Sequence, residues 1–304
     1  MQSEPLHVVT GAFGYTGKYI TRRLLDRGIR VRTLTGHPDR PNQFGGKVET
    51  APFNFDEPSA LAESLRGVDV LYNTYWVRFT HDDTTFSQAV GNTQMLFSAA
   101  KVAGVKRIVH VSITQPSLDS PLPYFSGKAR LEDDLKSTGI PYAIIRPTVI
   151  FGKEDILINN VAWLTRSFPF FAIPGDGKYR LQPIYVEDMA DLAVDCGLRT
   201  DNITLDAVGP EVFTFIDLVR LIAKTIGKCP FLIPFPPMAA LALSQIAGRF
   251  VGDVILTREE VYGLMANLLI SDAPPTGKTS LTAWLEENKE KVGIEYHSEI
   301  KRHY

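Results

Sequence analysis

The chain has 304 residues, 44% of them hydrophobic and 22% charged, with a formal net charge of -2. That balance suits a globular protein with one large domain, or a domain with a smaller appendage, and the lack of a concentrated basic stretch argues against nucleic acid as a direct ligand. Its two cysteines, Cys196 and Cys229, are too few for a disulfide framework and lack metal-ligand spacing, so reduced thiols and no metal site are expected. Met1 to Pro5 lead straight into an apolar run, with no basic segment followed by an apolar signal region, which is the pattern of a cytoplasmic protein.

In chain order, Leu6 to Val9 predict a short buried strand. Thr10 to Gly17 (TGAFGYTG) follow, then a helical pattern with Ile20, Leu24 and Leu25 on one face. Strand, glycine turn and helix in this order form a cradle for a dinucleotide pyrophosphate. Gly11 permits the tight turn, Gly14 lets backbone amides approach phosphate, and Gly17 allows the helix to pack on the strand. The helix N-terminus then faces the anion.

Further strands are expected at 30–35, 48–53, 68–73, 107–112 and 142–146, with helices at 58–65, 87–103 and 129–137 between them. This alternation implies an α/β fold, a doubly wound parallel sheet of the Rossmann type with ligands at the carboxyl ends of its strands. Phe168 to Gly177 are too rich in proline, glycine and phenylalanine to continue the repeat. Residues 1–152 and 184–227 are therefore expected to form the dinucleotide-binding domain, and 153–183 with 228–304 a smaller substrate-side region. The apolar stretch from Pro236 to Val251 is interrupted by Gln245 and Arg249, short of the ~20 residues that span a membrane. It reads as a core or pocket helix, and leaves a peripheral membrane contact or a subunit interface open.

A second constellation is Tyr124 and Lys128, which share one helix face if their segment is helical. A nearby ammonium favours the phenolate, so this tyrosine can exchange a proton with a substrate hydroxyl or carbonyl. The lysine can also hold a nicotinamide ribose.

Together, TGAFGYTG, the serine and threonine cluster after the fifth strand, Tyr124 with Lys128, and Arg146 to Gly152 (RPTVIFG) resemble the extended and atypical short-chain dehydrogenase/reductase family. Gly175 to Gly177 and Gln182 to Ala190 extend the likeness, which is nearest to the branch of the complex I 39-kDa subunit and NmrA-like proteins. The resemblance implies that Gly11, Phe13, Gly14, Tyr15 and Gly17 line the pyrophosphate. It implies Asn54 and Phe55 at adenine, Asn73 and Thr74 at the nicotinamide ribose, and Pro147, Thr148 and Val149 at the carboxamide. The hydroxyl that binds the reacting oxygen best matches Thr114, with Ser112 as the alternative or as a strand-end cap. Only eleven residues separate Ser112 from Tyr124, and Leu181 stands where sugar-nucleotide epimerases usually carry an arginine, which weakens a sugar-nucleotide substrate.

The second strand ends in Thr35 and Gly36 without an immediate acid, while His37 and Arg40 could meet a ribose 2′-phosphate. NADP(H) is preferred, and Asp39 keeps NAD(H) as the alternative. Tyr75, Trp76 and Phe79, with Phe168, Phe170 and Phe171, suggest a pocket for an apolar substrate. The expectation is an NAD(P)-dependent reductase or dehydrogenase acting on a carbonyl or hydroxyl of a small molecule. Epimerisation or dehydration would use the same residues, and a nucleotide-binding regulatory, assembly or accessory protein without turnover is the rival from another class. Homo-oligomerisation is left open.

Overall fold

The computed structural model describes residues 4–80, 84–298 and 300; Met1 to Ser3, at the start of the leader reading, lie outside them. The chain runs β1 (Leu6–Thr10), α1 (Tyr15–Asp26), β2 (Arg30–Thr35), β3 (Val48–Pro52), α2 (Pro58–Ser64), β4 (Val70–Asn73), α3 (Phe86–Ala103), β5 (Arg107–Val111), α4 (Pro123–Ser137) and β6 (Tyr142–Pro147). It continues through β7 (Ile150–Phe151), α5 (Leu157–Ser167), β8 (Phe170–Pro174), β9 (Arg180–Leu181), β10 (Ile184–Tyr185), α6 (Val186–Gly197) and β11 (Ile203–Ala207). The last elements are β12 (Phe213–Thr214), α7 (Phe215–Thr225), β13 (Phe231–Phe235), α8 (Pro237–Val251), α9 (Arg258–Met265) and α10 (Leu281–Asn288).

Seven strands form the central sheet in the order β11-β6-β5-β4-β1-β2-β3. The pairs from β6 through to β3 are parallel. Val8, Val9, Leu71, Ile108 and Ile144 are fully buried, as expected where helices cover both faces of a parallel sheet. The strand order reverses between β4 and β1, which makes the carboxyl ends of these strands the switch point where open α/β sheets bind ligands. The expected doubly wound parallel sheet is present.

Two compact units divide the chain, one of 1–146 with 189–206 and the other of 147–188 with 207–304. Residues 147–152, 184–188 and 207–227, assigned from sequence to the dinucleotide-binding part, thus fall in the second unit. The reason is packing: Phe151 from β7 and Leu218, Val219 and Ile222 from α7 join a core with Ile158, Leu181 and Leu285. The first unit has its own core, built from Leu34, Leu71, Leu96, Ile108, Leu131 and neighbours. Among the described residues no helix is long and apolar enough to cross a membrane, and no His, Cys, Asp and Glu cluster is placed for a metal.

Candidate functional site

At the end of β1 the chain turns through Gly11, whose φ of +65° suits glycine. The Gly14 amide donates to the Gly11 carbonyl at 2.8 Å, and the Ala12 amide to Thr33 Oγ1 at 3.0 Å. A Cβ on Gly17 would lie 2.2 Å from the Gly11 carbonyl oxygen, so only glycine lets α1 come this close to the turn. Gly14 caps α1 without a side-chain hydrogen bond, and the first turn holds no acidic residue. A bare, positively polarised helix start behind a glycine turn is chemically suited to a pyrophosphate. Phe13 packs on Phe44, and Tyr15 edges onto Tyr19.

Thr10 fixes the neighbouring strand end. Its Oγ1 accepts from the amides of Thr74 at 2.8 Å and Tyr75 at 3.0 Å, while Thr74 Oγ1 returns a bond to the Thr10 carbonyl at 2.6 Å. Asn73, expected at the ribose, is fully buried, and its amide is spent inside the sheet. Oδ1 accepts from Thr10 and the Tyr75 amide, and Nδ2 donates to His110 Nδ1 at 3.0 Å. That bond requires the neutral imidazole protonated on Nε2. Burial, assisted by the Lys128 charge, holds the His110 pKa well below the ordinary value.

Asn54 adopts φ +46°, a conformation asparagine tolerates, between two phenylalanines whose rings stack at 4.8 Å. Tyr75 lies 5.2 Å from both rings, so Phe53, Phe55 and Tyr75 form one aromatic cluster at the place expected for adenine. His37 is exposed and Arg40 half-buried in the turn after β2; the His37 amide donates to Thr35 Oγ1 at 3.0 Å.

Tyr124 and Lys128 both lie on α4, one helical turn apart, because α4 begins at Pro123, six residues before the expected start. Proline at the first helical position costs no hydrogen bond and sets the chain for the helix. Tyr124 is half-buried, its ring edge-on to Trp76 at 5.5 Å and to Phe86 at 5.8 Å. Lys128 is only 2% exposed; Nζ donates to the Val111 carbonyl at 2.8 Å and sits 4.2 Å from the centre of the Trp76 ring. Burial brings its pKa down to about 7, against an opposing pull from Glu132.

Glu132 continues the same helix face and was not singled out from sequence. Its buried carboxylate accepts from Ser112 Oγ at 2.6 Å, from Arg146 Nε at 2.9 Å and from Arg146 Nη2 at 2.5 Å. The Ser112 hydroxyl therefore serves this clamp, and Thr114, fully buried beyond β5, is the remaining candidate to meet a reacting oxygen. The one sequence signal for Glu132 was its spacing, a third step of four residues after Tyr124 and Lys128.

Trp76, expected at a substrate, is half-buried and packs against α3 and α4. Gly127 makes room for it, since a Cβ there would stand 3.2 Å from Trp76 Cη2 and Val90 Cγ2. Phe79 is buried. The remaining predicted residues belong to the second unit. Pro147 and Thr148 are buried, the Thr148 hydroxyl donates to the Gln182 carbonyl, and the Val149 carbonyl accepts from the Ile184 amide at 2.8 Å. Phe171 faces that unit's core whereas Phe168 and Phe170 are exposed, so the three do not line one surface. Alternation along β8 explains the split between Phe170 and Phe171, and Phe168 caps α5 before the strand begins.

A Rossmann sheet with a glycine turn feeding a bare helix start defines a dinucleotide-binding protein. The chain belongs to the NAD(P)H-binding family, whose profile matches residues 11–166. It is similar to the mitochondrial NADH dehydrogenase [ubiquinone] 1 alpha subcomplex subunit 9 of Arabidopsis thaliana, 24% identical over 284 residues, covering 87% of this chain and 70% of that one. It is also similar to the (4-alkanoyl-5-oxo-2,5-dihydrofuran-3-yl)methyl phosphate reductase of Streptomyces griseus, 24% identical over 279 residues, 84% of this chain and 92% of the relative. Among solved structures, triphenylmethane reductase of Citrobacter sp. shares the fold with a TM-score of 0.77 at 16% identity, over 93% of this chain and 99% of that one. The resemblance to the extended short-chain dehydrogenase/reductase family is borne out.

Proposed function

We propose that the protein is an NADP(H)-dependent reductase or dehydrogenase acting on a carbonyl or hydroxyl of a small apolar compound. The observation that carries this reading is the placement of Tyr124 and Lys128 on one face of α4, with the lysine anchored at the end of β5. Gly11, Gly14 and Gly17 with the start of α1 would hold the pyrophosphate, Phe53, Phe55 and Tyr75 the adenine, and His37 and Arg40 the 2′-phosphate. When bound, the nucleotide would supply the hydride for reduction or accept it for oxidation. Tyr124 gives or takes the proton at the substrate oxygen, Lys128 stabilises the phenolate, and Thr114 orients that oxygen. The Streptomyces relative, named a reductase, supports turnover.

Tyr124→Phe should leave NADPH affinity unchanged and lower kcat by about a hundredfold or more in a screen of apolar ketones, aldehydes and quinones. Retained turnover would remove Tyr124 from the chemistry.

A second reading, a protein that holds dinucleotide without turnover, is favoured by two observations. Trp76 covers one side of Lys128, and the Arabidopsis relative is named as a subunit of an NADH dehydrogenase. Tight nucleotide retention without hydride exchange would decide for it.

A further inference from the structure

In the second unit, β8 and β13 pair in parallel, with Phe170 beside Phe231, Phe171 beside Leu232 and Ala172 beside Ile233. Side chains at paired positions share a face. Phe171 and Leu232 turn inward to the core, whereas Phe170 and Phe231 turn outward and are 53% and 77% exposed. Ile233 continues the outward row, and Phe168 precedes it; both are exposed. α8 packs beside β8 and adds the exposed Met238 and Leu243. Parallel strands are ordinarily covered on both faces. Here both faces are apolar, and the outward one leaves Phe168, Phe170, Phe231 and Ile233 exposed, which marks it as a docking surface.

Charge narrows the occupant. Acidic and basic residues are nearly balanced over the chain, 34 against 32, yet the segments 156–175 and 218–252, within which β8, β13 and α8 lie, contain no Asp or Glu. Their basic residues are Arg166, Arg220, Lys224, Lys228 and Arg249. Arg166 is committed to backbone carbonyls and Arg220 to Asp217, while Lys224, Lys228 and Arg249 are exposed. At one border Asp253 is buried and accepts from Tyr296 and from the Ile300 amide. A symmetric second copy seated here would bring the same cations together. Apolar side chains bordered by exposed cations suit a surface that is itself apolar inside and anionic outside.

We propose that the outward face of β8 and β13, with the exposed flank of α8, docks the protein on an anionic lipid bilayer. Nothing in this depends on turnover or on nucleotide. The test is flotation of the full chain with vesicles of phosphatidylcholine alone and with about a third phosphatidylglycerol added. Binding should be at least about tenfold stronger to the anionic vesicles and should weaken as salt is raised.

Phe231→Ser combined with Ile233→Ser should lower that binding by about tenfold or more while nucleotide affinity and circular dichroism stay as in the wild type. Lys224→Gln combined with Lys228→Gln should remove the preference for anionic vesicles, and this pair carries the test if the β13 variant misfolds. A dye on the exposed Cys229, two residues before Phe231, should report transfer to an apolar environment with anionic vesicles only. Absence of binding to either vesicle, or unchanged binding by both variant pairs, would overturn the proposal. So would a concentration-dependent dimer lost in the β13 variant, which would assign the face to a second copy.

Discussion

An ammonium group enclosed as Lys128 is keeps one carbonyl and one aromatic face in place of its hydration shell, and it gives up its proton more easily as a result. Folded Lys128 titrates near pH 7, the unfolded side chain near ~10.4. Between these values the unfolded chain holds a proton that the folded chain lacks. Stability therefore rises with pH in that window, by up to about 1.4 kcal/mol per pH unit from this residue. Lys128→Met should remove this contribution, so urea midpoints of the wild type should climb more steeply than those of the variant from about pH 7 to about pH 9. Parallel pH profiles would show that Lys128 is charged to the same extent in both states. Trp76 illustrates what sequence leaves undecided at this scale. It was legible as an aromatic beside the site, but its contact with Lys128 depends on Gly127, distant in sequence, leaving the space for its ring.

At the scale of elements, α1 is held to β1 by the approach at Gly17. Gly17→Ala places a methyl 2.2 Å from the Gly11 carbonyl oxygen, and that oxygen is backbone, so either helix or turn must move. A loss of about 1–3 kcal/mol in stability is expected, together with a large fall in nucleotide affinity. Chemical denaturation and fluorescence titration would check both, and a variant that keeps wild-type affinity would separate the close packing from the binding of pyrophosphate. α4 shows where local preference misleads. The helix was expected from Ala129, and Ser126 and Gly127 before it are weak helix formers. Packing of Tyr124 and Trp76, with Pro123 at the first position, carries the helix back a further turn and a half. At its other end, Glu132 binds α4 to Ser112 beyond β5 and to Arg146 on β6. The clamp sets the helix on the sheet, and through it the heights of Lys128 and Tyr124.

For the molecule as a whole, each unit has its own core, and the second is tied to its C-terminal segment by side chains on α5. Asn160 exchanges two hydrogen bonds with the His297 backbone, at 3.0 and 2.8 Å, and Arg166 reaches the carbonyls of Val292 and Lys289. Inside that unit Asp155 is buried, and its pKa is pushed up to about 7 by burial, against the amides of Ile158 and Gly152. The two thiols probe different depths. Cys196 is buried, with burial pushing its pKa up, and Cys229 is exposed. One of the two should react quickly with an aromatic disulfide reagent in the native protein and the second only on unfolding. Fast reaction of both would mean that α6 opens readily around Cys196.

Sequence by itself determined the strand, glycine turn and helix at the start, the alternation that makes a parallel sheet, and the pairing of Tyr124 with Lys128. Those features are local: a turn needs particular backbone angles, and residues four apart on a helix must share a face. Tertiary structure alone decided the rest. It spent Asn73, Ser112 and Thr148 on internal hydrogen bonds, joined Glu132 to Arg146, seated Trp76 on Lys128, and brought β13 beside β8 so that one apolar face points outward. Each of these depends on groups far apart in the chain meeting at hydrogen-bonding or packing distance, which no short pattern of residues encodes.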